Sequence, residues 1–358
     1  MSCTRSGEGV TGAEPSEKSV ASSNRGAVEW SPMPPFPLNS SFLVSAPFRD
    51  GFVVVRRTGV NYSSAELQLG KVENDRFPVA FRSADGRWRS LPVTPSMTAP
   101  TLIRVGATIA VLGLRCVDQE CLWGRMVGAL LSDDMTRWEE VASGKTKHSI
   151  ETGASPVDGW GDVGVVGTEG FLYTVDTKTR RLIAIPDPLA AYRERGPVYT
   201  CITGSRVSSV ALLTADHILY RTGPVATLHL GGKYDWRVSK AAHSSAAYKT
   251  PQLLCGRGGP LFLSSEGIEI GYKVSEDRWF ERRAEFGRME KDQVKFFAAD
   301  HASQPDGSLV VVANGYVFVR SPDGVWRQEE QHATMVIETG SGLLLWDARS
   351  GEWTYMRP

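Results

Sequence analysis

The 358-residue sequence contains no apolar run near the roughly 20 residues that a membrane-crossing helix requires. Neither charge is in surplus: 40 Lys and Arg stand against 40 Asp and Glu, so electrostatics give no reason to expect nucleic acid or an anionic membrane as partner. Cysteine is scarce and odd in number, five in all, which excludes a disulfide-built scaffold. The six histidines are scattered singly, and no metal centre is expected from them. Phosphate loops, dinucleotide fingerprints and Ser nucleophile elbows are missing, and no cofactor is expected. Long stretches of helical periodicity are missing too.

The first 26 residues lack the apolar core of a secretory signal. They are polar and rich in Ser, Gly and Glu, too poor in apolar surface to order themselves, and predict a disordered tail. The expectation is a cytoplasmic protein, or a secreted one if the N-terminus is incomplete. Cys201 and Cys255 sit in apolar runs and read as small core residues. Cys116 and Cys121 flank the four residues of "RCVDQEC" at a hairpin tip. They could pair in an oxidising compartment; with no signal peptide, two free thiols are expected.

What is present is a rhythm of tryptophans. Trp88, Trp138, Trp236, Trp279 and Trp326 follow one another at 50, 98, 43 and 47 residues. The 98 is a double period, and its missing landmark is "YTVDTKTRRLIAIP", where an aliphatic strand stands in place of Trp. A period of 43–50 residues points to a repeat array. Each period holds four short β-branched or aromatic runs, such as "SLVVVANG" and "YVFVR", separated by Asp-Gly, Asn-Gly or Gly-rich turns. Four antiparallel strands per period are the signature of a propeller blade.

The phrases "RSADGRWRS" and "RSPDGVWRQ" then fall at the hairpin between third and fourth strands. Ser and Asp bind backbone N–H groups, Gly takes the positive φ, and Trp packs between neighbouring blades. The predicted fold is an all-β propeller of four-stranded antiparallel blades in one domain, residues 27–358, with seven blades and six as the alternative. The last segment, "HATMVIETGSGLLLWDARSGEWTYMRP", supplies about three strands. An N-terminal strand around Trp30, in "GAVEWSPMP", is expected to complete the final blade and close the ring.

"SADGRW", "SDDMTRW", "SEDRW" and "SPDGVW" resemble the Asp-box of sialidase-like propellers, carried by Ser83, Asp85, Gly86 and Trp88, and by Ser321, Asp323, Gly324 and Trp326. Ser132, Asp134 and Trp138 fit without the Gly. "GGPLFLSSEGIEIGYKVSEDRWFE" resembles a kelch repeat, with Gly258 and Gly259, Tyr272 and Trp279. "SDDMTRWEE" is also similar to a hairpin of five-bladed glycosidases. WD-repeat identity has little support, since Trp346-Asp347 occurs once. The sialidase-like resemblance implies an arginine clamp on a substrate carboxylate, an acidic proton donor and a Tyr–Glu nucleophile. Phe48-Arg49 stands about where the first clamp arginine would be.

The candidates for a site at the mouth of a central channel are Arg49, Asp50, Arg104, Asp158, Asp162, Arg257, Asp300 and His301. No Tyr–Glu pair can be assigned from spacing. The expected function is therefore recognition or assembly: a monomeric, non-catalytic propeller that binds a protein or carbohydrate through one face and its loops. The alternative is a glycoside hydrolase with its site at the channel. Trp123, between Arg115 and Arg125 on the Cys116–Cys121 hairpin, reads either as a cover for the adjacent blade or as a partner-binding projection.

Overall fold

The computed structural model describes residues 30–36, 38, 43–56, 75–119, 121–141, 144–149, 171–186, 276, 278–286, 298–304, 306–340 and 342–356. It also describes the strands at 155–157, 165–168, 198–203, 209–215, 222–229, 235–238, 252–256, 259–263 and 268–273. These residues form strands, turns and bends, with no helix among them. No helix of the described residues is therefore long and apolar enough to cross a membrane.

The strands form seven small antiparallel sheets, each an up-and-down meander in chain order. The first orders β1 (Leu43–Phe48), β2 (Gly51–Arg56), β3 (Val79–Arg82) and β4 (Trp88–Leu91). The second orders β5 (Thr98–Val105), β6 (Thr108–Cys116), β7 (Trp123–Leu131) and β8 (Trp138–Val141), and a short β9 (Lys147–Ser149) pairs with the start of β7. The third holds β10 (Ser155–Val157), β11 (Val165–Thr168), β12 (Phe171–Asp176) and β13 (Arg181–Pro186). The fourth holds β14 (Val198–Thr203), β15 (Ser209–Ala215), β16 (Thr222–His229) and β17 (Asp235–Val238). The fifth holds β18 (Gln252–Gly256), β19 (Gly259–Leu263), β20 (Ile268–Lys273) and β21 (Arg278–Arg283). The sixth holds β22 (Ala298–Ser303), β23 (Leu309–Ala313), β24 (Tyr316–Arg320) and β25 (Trp326–His332). The seventh has three strands among the described residues, β26 (Met335–Thr339), β27 (Gly342–Asp347) and β28 (Glu352–Met356).

Alternation along the strands explains how the sheets stack. In β2, Val53 and Val55 face one way and Phe52 and Val54 the other, because successive side chains leave a strand on opposite faces. The first pair packs with Leu102, Ile109 and Val127 of the second sheet. The second pair packs with Met335, Ile337, Leu344 and Trp346 of the seventh. β23 repeats the device: Leu309 and Val311 meet Leu254, Leu261 and Leu263 of the fifth sheet, whereas Val310 and Val312 meet Val336, Leu343 and Leu345 of the seventh. Strands buried on both faces read as unbroken apolar runs, which is why "FVVV" and "LVVVA" carry no polar residue. The first strand of each sheet lies beside the first strand of the next, and β26 lies beside β1. At that last seam, a Cβ on Gly340 would fall 1.8 Å from the Arg49 carbonyl oxygen, so only glycine permits the approach.

Two expectations need correction. The N-terminal strand does not join the seventh sheet in the described residues. Ser31 exchanges backbone hydrogen bonds with Trp88 at the outer edge of the first sheet, at 2.9 and 2.6 Å. Trp30 packs edge-on against Phe81 there, with Arg87 over its other face, so burial of the indole fixes the strand where it lies. The second correction concerns the thiols: Cys116 and Cys121 are joined in a disulfide. The loop they close is folded by Asp118, whose carboxylate accepts the Leu122 and Trp123 N–H groups at 2.9 and 3.0 Å, and this brings the two cysteines together.

Candidate functional site

The turns between third and fourth strands are built alike. In the second sheet, Ser132 Oγ donates to Asp134 Oδ1 at 2.6 Å and accepts from Arg137 N at 3.1 Å, while Thr136 N donates to the same carboxylate. Ser83 and Asp85 in the first sheet, and Ser321 and Asp323 in the sixth, are bonded in the same way. Gly324 takes φ +92°, which Gly allows without strain, whereas Met135 holds the corresponding left-handed place at φ 57° in the second sheet. The Ser83 hydroxyl and then Arg87 hold the Asp85 carboxyl at about 2, below the ordinary aspartate range. Ser132 and then Thr136 do the same for Asp134, also at about 2.

Arginines of the preceding sheet seize the carbonyl oxygens of these turns. Arg49 donates to Asp133 O at 2.5 Å and Arg89 to Asp134 O at 3.4 Å. Arg282, from the fifth sheet, donates to Asp323 O at 3.1 Å and Gly324 O at 2.7 Å. The Trp138 indole N–H donates to Pro92 O at 2.8 Å across the first and second sheets. Between the fifth and sixth sheets lies a buried carboxylate that no sequence motif marks. Glu269 meets Arg282 Nε at 2.5 Å, Arg320 Nε at 3.1 Å and the Trp326 indole N–H. A buried charge is stable only when surrounded in this way.

Of the predicted site residues, Arg49 and Asp50 form the β1–β2 turn, and the Arg49 guanidinium is spent on the Asp133 carbonyl. Arg104 lies near the end of β5 and donates to Gly106 O at 3.1 Å. Asp300 and His301 lie in β22. One Asp300 oxygen accepts the His301 N–H at 2.9 Å, and the other accepts Val336 N–H at 3.0 Å, joining the first strands of the sixth and seventh sheets. Asp158, Asp162 and Arg257 fall outside the described residues. Among the described residues, no group of three or more His, Cys, Asp or Glu could hold a metal ion.

Sequence reasoning missed two further features. His148 of β9 is buried and bonded through Nε2 to the Tyr173 hydroxyl at 2.6 Å. Burial raises the Tyr173 pKa, with a hydrogen bond to Thr146 working against it. The other feature is a cavity of about 610 Å³ beside the seventh sheet, lined by Val319, Val325, Arg327, Glu329, Tyr355 and Met356 among others. The three-strand count of the last segment was the available signal for it. No protein-family model matches the chain, and no curated protein matches it.

Proposed function

We propose that the chain is a β-propeller of seven blades that works in recognition or assembly, binding a protein or glycan partner through one face and its loops without turning it over. The radial arrangement is supported by the run of first strands, each beside the next, with β26 beside β1. Turns resembling the Asp-box support the same reading, since their Ser–Asp pairs and trailing tryptophans recur from sheet to sheet. One observation carries the preference for binding over hydrolysis. The arginine best placed to clamp a substrate carboxylate, Arg49, is committed to a backbone carbonyl of the neighbouring sheet, as are Arg89 and Arg282. A guanidinium so held locks two sheets together.

A panel of fluorogenic glycosides, assayed with the parent protein and Arg49→Ala, tests this reading. We expect no turnover on any substrate and a lower melting temperature for the variant. Turnover that Arg49→Ala abolishes, without loss of fold, would overturn it in favour of the glycosidase.

A further inference from the structure

Among the described residues, six of the seven sheets reach a fourth strand and the seventh stops at its third. β28 pairs with β27 on one edge, and among the described residues no strand pairs with the other. The cavity of about 610 Å³ lies in this region, against the outer strands of the sixth sheet. Val325 and Tyr355, which line it, are 63% and 42% exposed.

The other sheets show what fits in such a place. In the first, second and sixth sheets the fourth strand opens with a tryptophan that turns back toward the preceding sheet. Trp88 packs on Met335, Ile337 and Trp346 of the seventh sheet, and Trp326 packs with Leu254, Leu261 and Leu263 of the fifth. Three residues on, Leu91 and Val141 are buried on the opposite side in the first and second sheets. A strand added to β28 would place its aromatic residue toward Val319, Val325 and Met356 by the same geometry.

Of the described N-terminal segment, Trp30 and Ser31 are bound to Phe81 and Trp88 of the first sheet, and Phe36 packs in the seam between the first and seventh sheets, so neither part pairs with β28. The charge of the cavity argues against an anionic ligand. Arg327 is paired with Glu329 at 2.6 Å, and Asp306 adds a further carboxylate to the lining. The remaining negative charge disfavours a phosphate or an acidic sugar and accommodates an uncharged or mildly basic peptide segment.

We infer that this groove binds an extended segment of a partner protein, which adds to β28 as a fourth antiparallel strand and seats an aromatic residue, followed three positions later by an aliphatic one, against the sixth sheet. Backbone pairing along the edge supplies affinity, and the aromatic pocket supplies selectivity. The inference rests on the binding reading above and adds where the partner sits and what form it takes.

The test uses the full chain and a fluorescein-labelled peptide with the sequence DGRWRSLPVT, which copies the protein's own first-sheet strand at 85–94. Fluorescence anisotropy is expected to show saturable binding, weakened about tenfold or more by Trp→Ala in the peptide or Val325→Glu in the protein. Methylating alternate backbone nitrogens of the peptide is expected to abolish it. Val325 is exposed, so the variant should melt with the parent, which separates lost binding from lost fold. Absence of saturation, or equal binding by Val325→Glu, overturns the inference. So does a dimer in solution whose β28 amides are protected, which would give the groove to a second copy. Binding that appears only after residues 1–29 are removed overturns it as well, because the chain would then be filling its own groove. Glycoside turnover contradicts the binding reading alone and leaves the peptide result to stand or fall by itself.

Discussion

The sixth and seventh sheets are neighbours with the same three-strand opening and different endings. β24 is bonded on both edges, to β23 and β25, whereas among the described residues its counterpart β28 is bonded on one. The fourth strand of the sixth sheet brings Trp326 into contact with the fifth sheet and gives its indole N–H to Glu269. Among the described residues the seventh sheet has no such residue, and a cavity bordered by Val325 and Met356 lies beside it. The contrast defines the role of a fourth strand. It carries the aromatic residue and the polar latch that tie a sheet to the one before it, whereas the inner three strands supply the bulk of the apolar seam.

Removing Trp326 should do most damage to that contrast. Trp326→Ala is expected to cost about 3–5 kcal/mol, as for other buried large-to-small changes. Trp353→Ala in β28, half-buried on an open edge, should cost distinctly less. Equal losses in chemical denaturation would erase the distinction. Next comes Glu269→Ala, which leaves Arg320 and the Trp326 N–H without their buried acceptor. A loss of about 3 kcal/mol is expected, at the low end for a broken buried pair because Arg282 is 35% exposed and can turn to water. Opening the Cys116–Cys121 loop by a double Ser substitution should cost about 2 kcal/mol, since the closed ring is short. Mass measurement after alkylation without reductant should find both thiols blocked.

The smallest effect is one of pH. The carboxyls of Asp85 and Asp134 lie at about 2, lowered from 3.8. A lowered pKa means that the folded chain binds its proton later than the unfolded chain. The turns therefore lend their full stability above about pH 4 and lose it as pH falls toward 2. Asp134→Asn should flatten the fall in melting temperature across that window. An unchanged slope would show that this turn carboxylate lends no pH-dependent stability.

Most of the strand order was legible in the sequence because tryptophan marks a fixed structural place. Trp88, Trp138, Trp236, Trp279 and Trp326 all lie in fourth strands, and the period lacking Trp has β13 there instead. The turn chemistry was legible for the same reason, since Ser and Asp act on backbone two to five residues away. Long-range partners were not. Nothing within "GIEIGYK" indicates that Glu269 meets Arg320 and Trp326, 51 and 57 residues later. Trp30 has the spacing of a fourth-strand tryptophan, yet its strand pairs with the first sheet, because an orphan strand can bind either of two neighbouring edges and spacing does not choose between them. The candidate site suffered most: Arg49 and Asp300 stand at first strands as expected, but their partners are backbone atoms of adjacent sheets.

Native-state hydrogen exchange on the third strands, β24 and β28, resolved by residue, tests the open edge most directly. We expect slow exchange across Phe318–Arg320, which pairs on both sides, and fast exchange at alternate amides of Glu352–Met356, where N–H groups point away from β27. Uniform slow exchange in both strands of the isolated chain would contradict it, because some segment would already be bonded along β28.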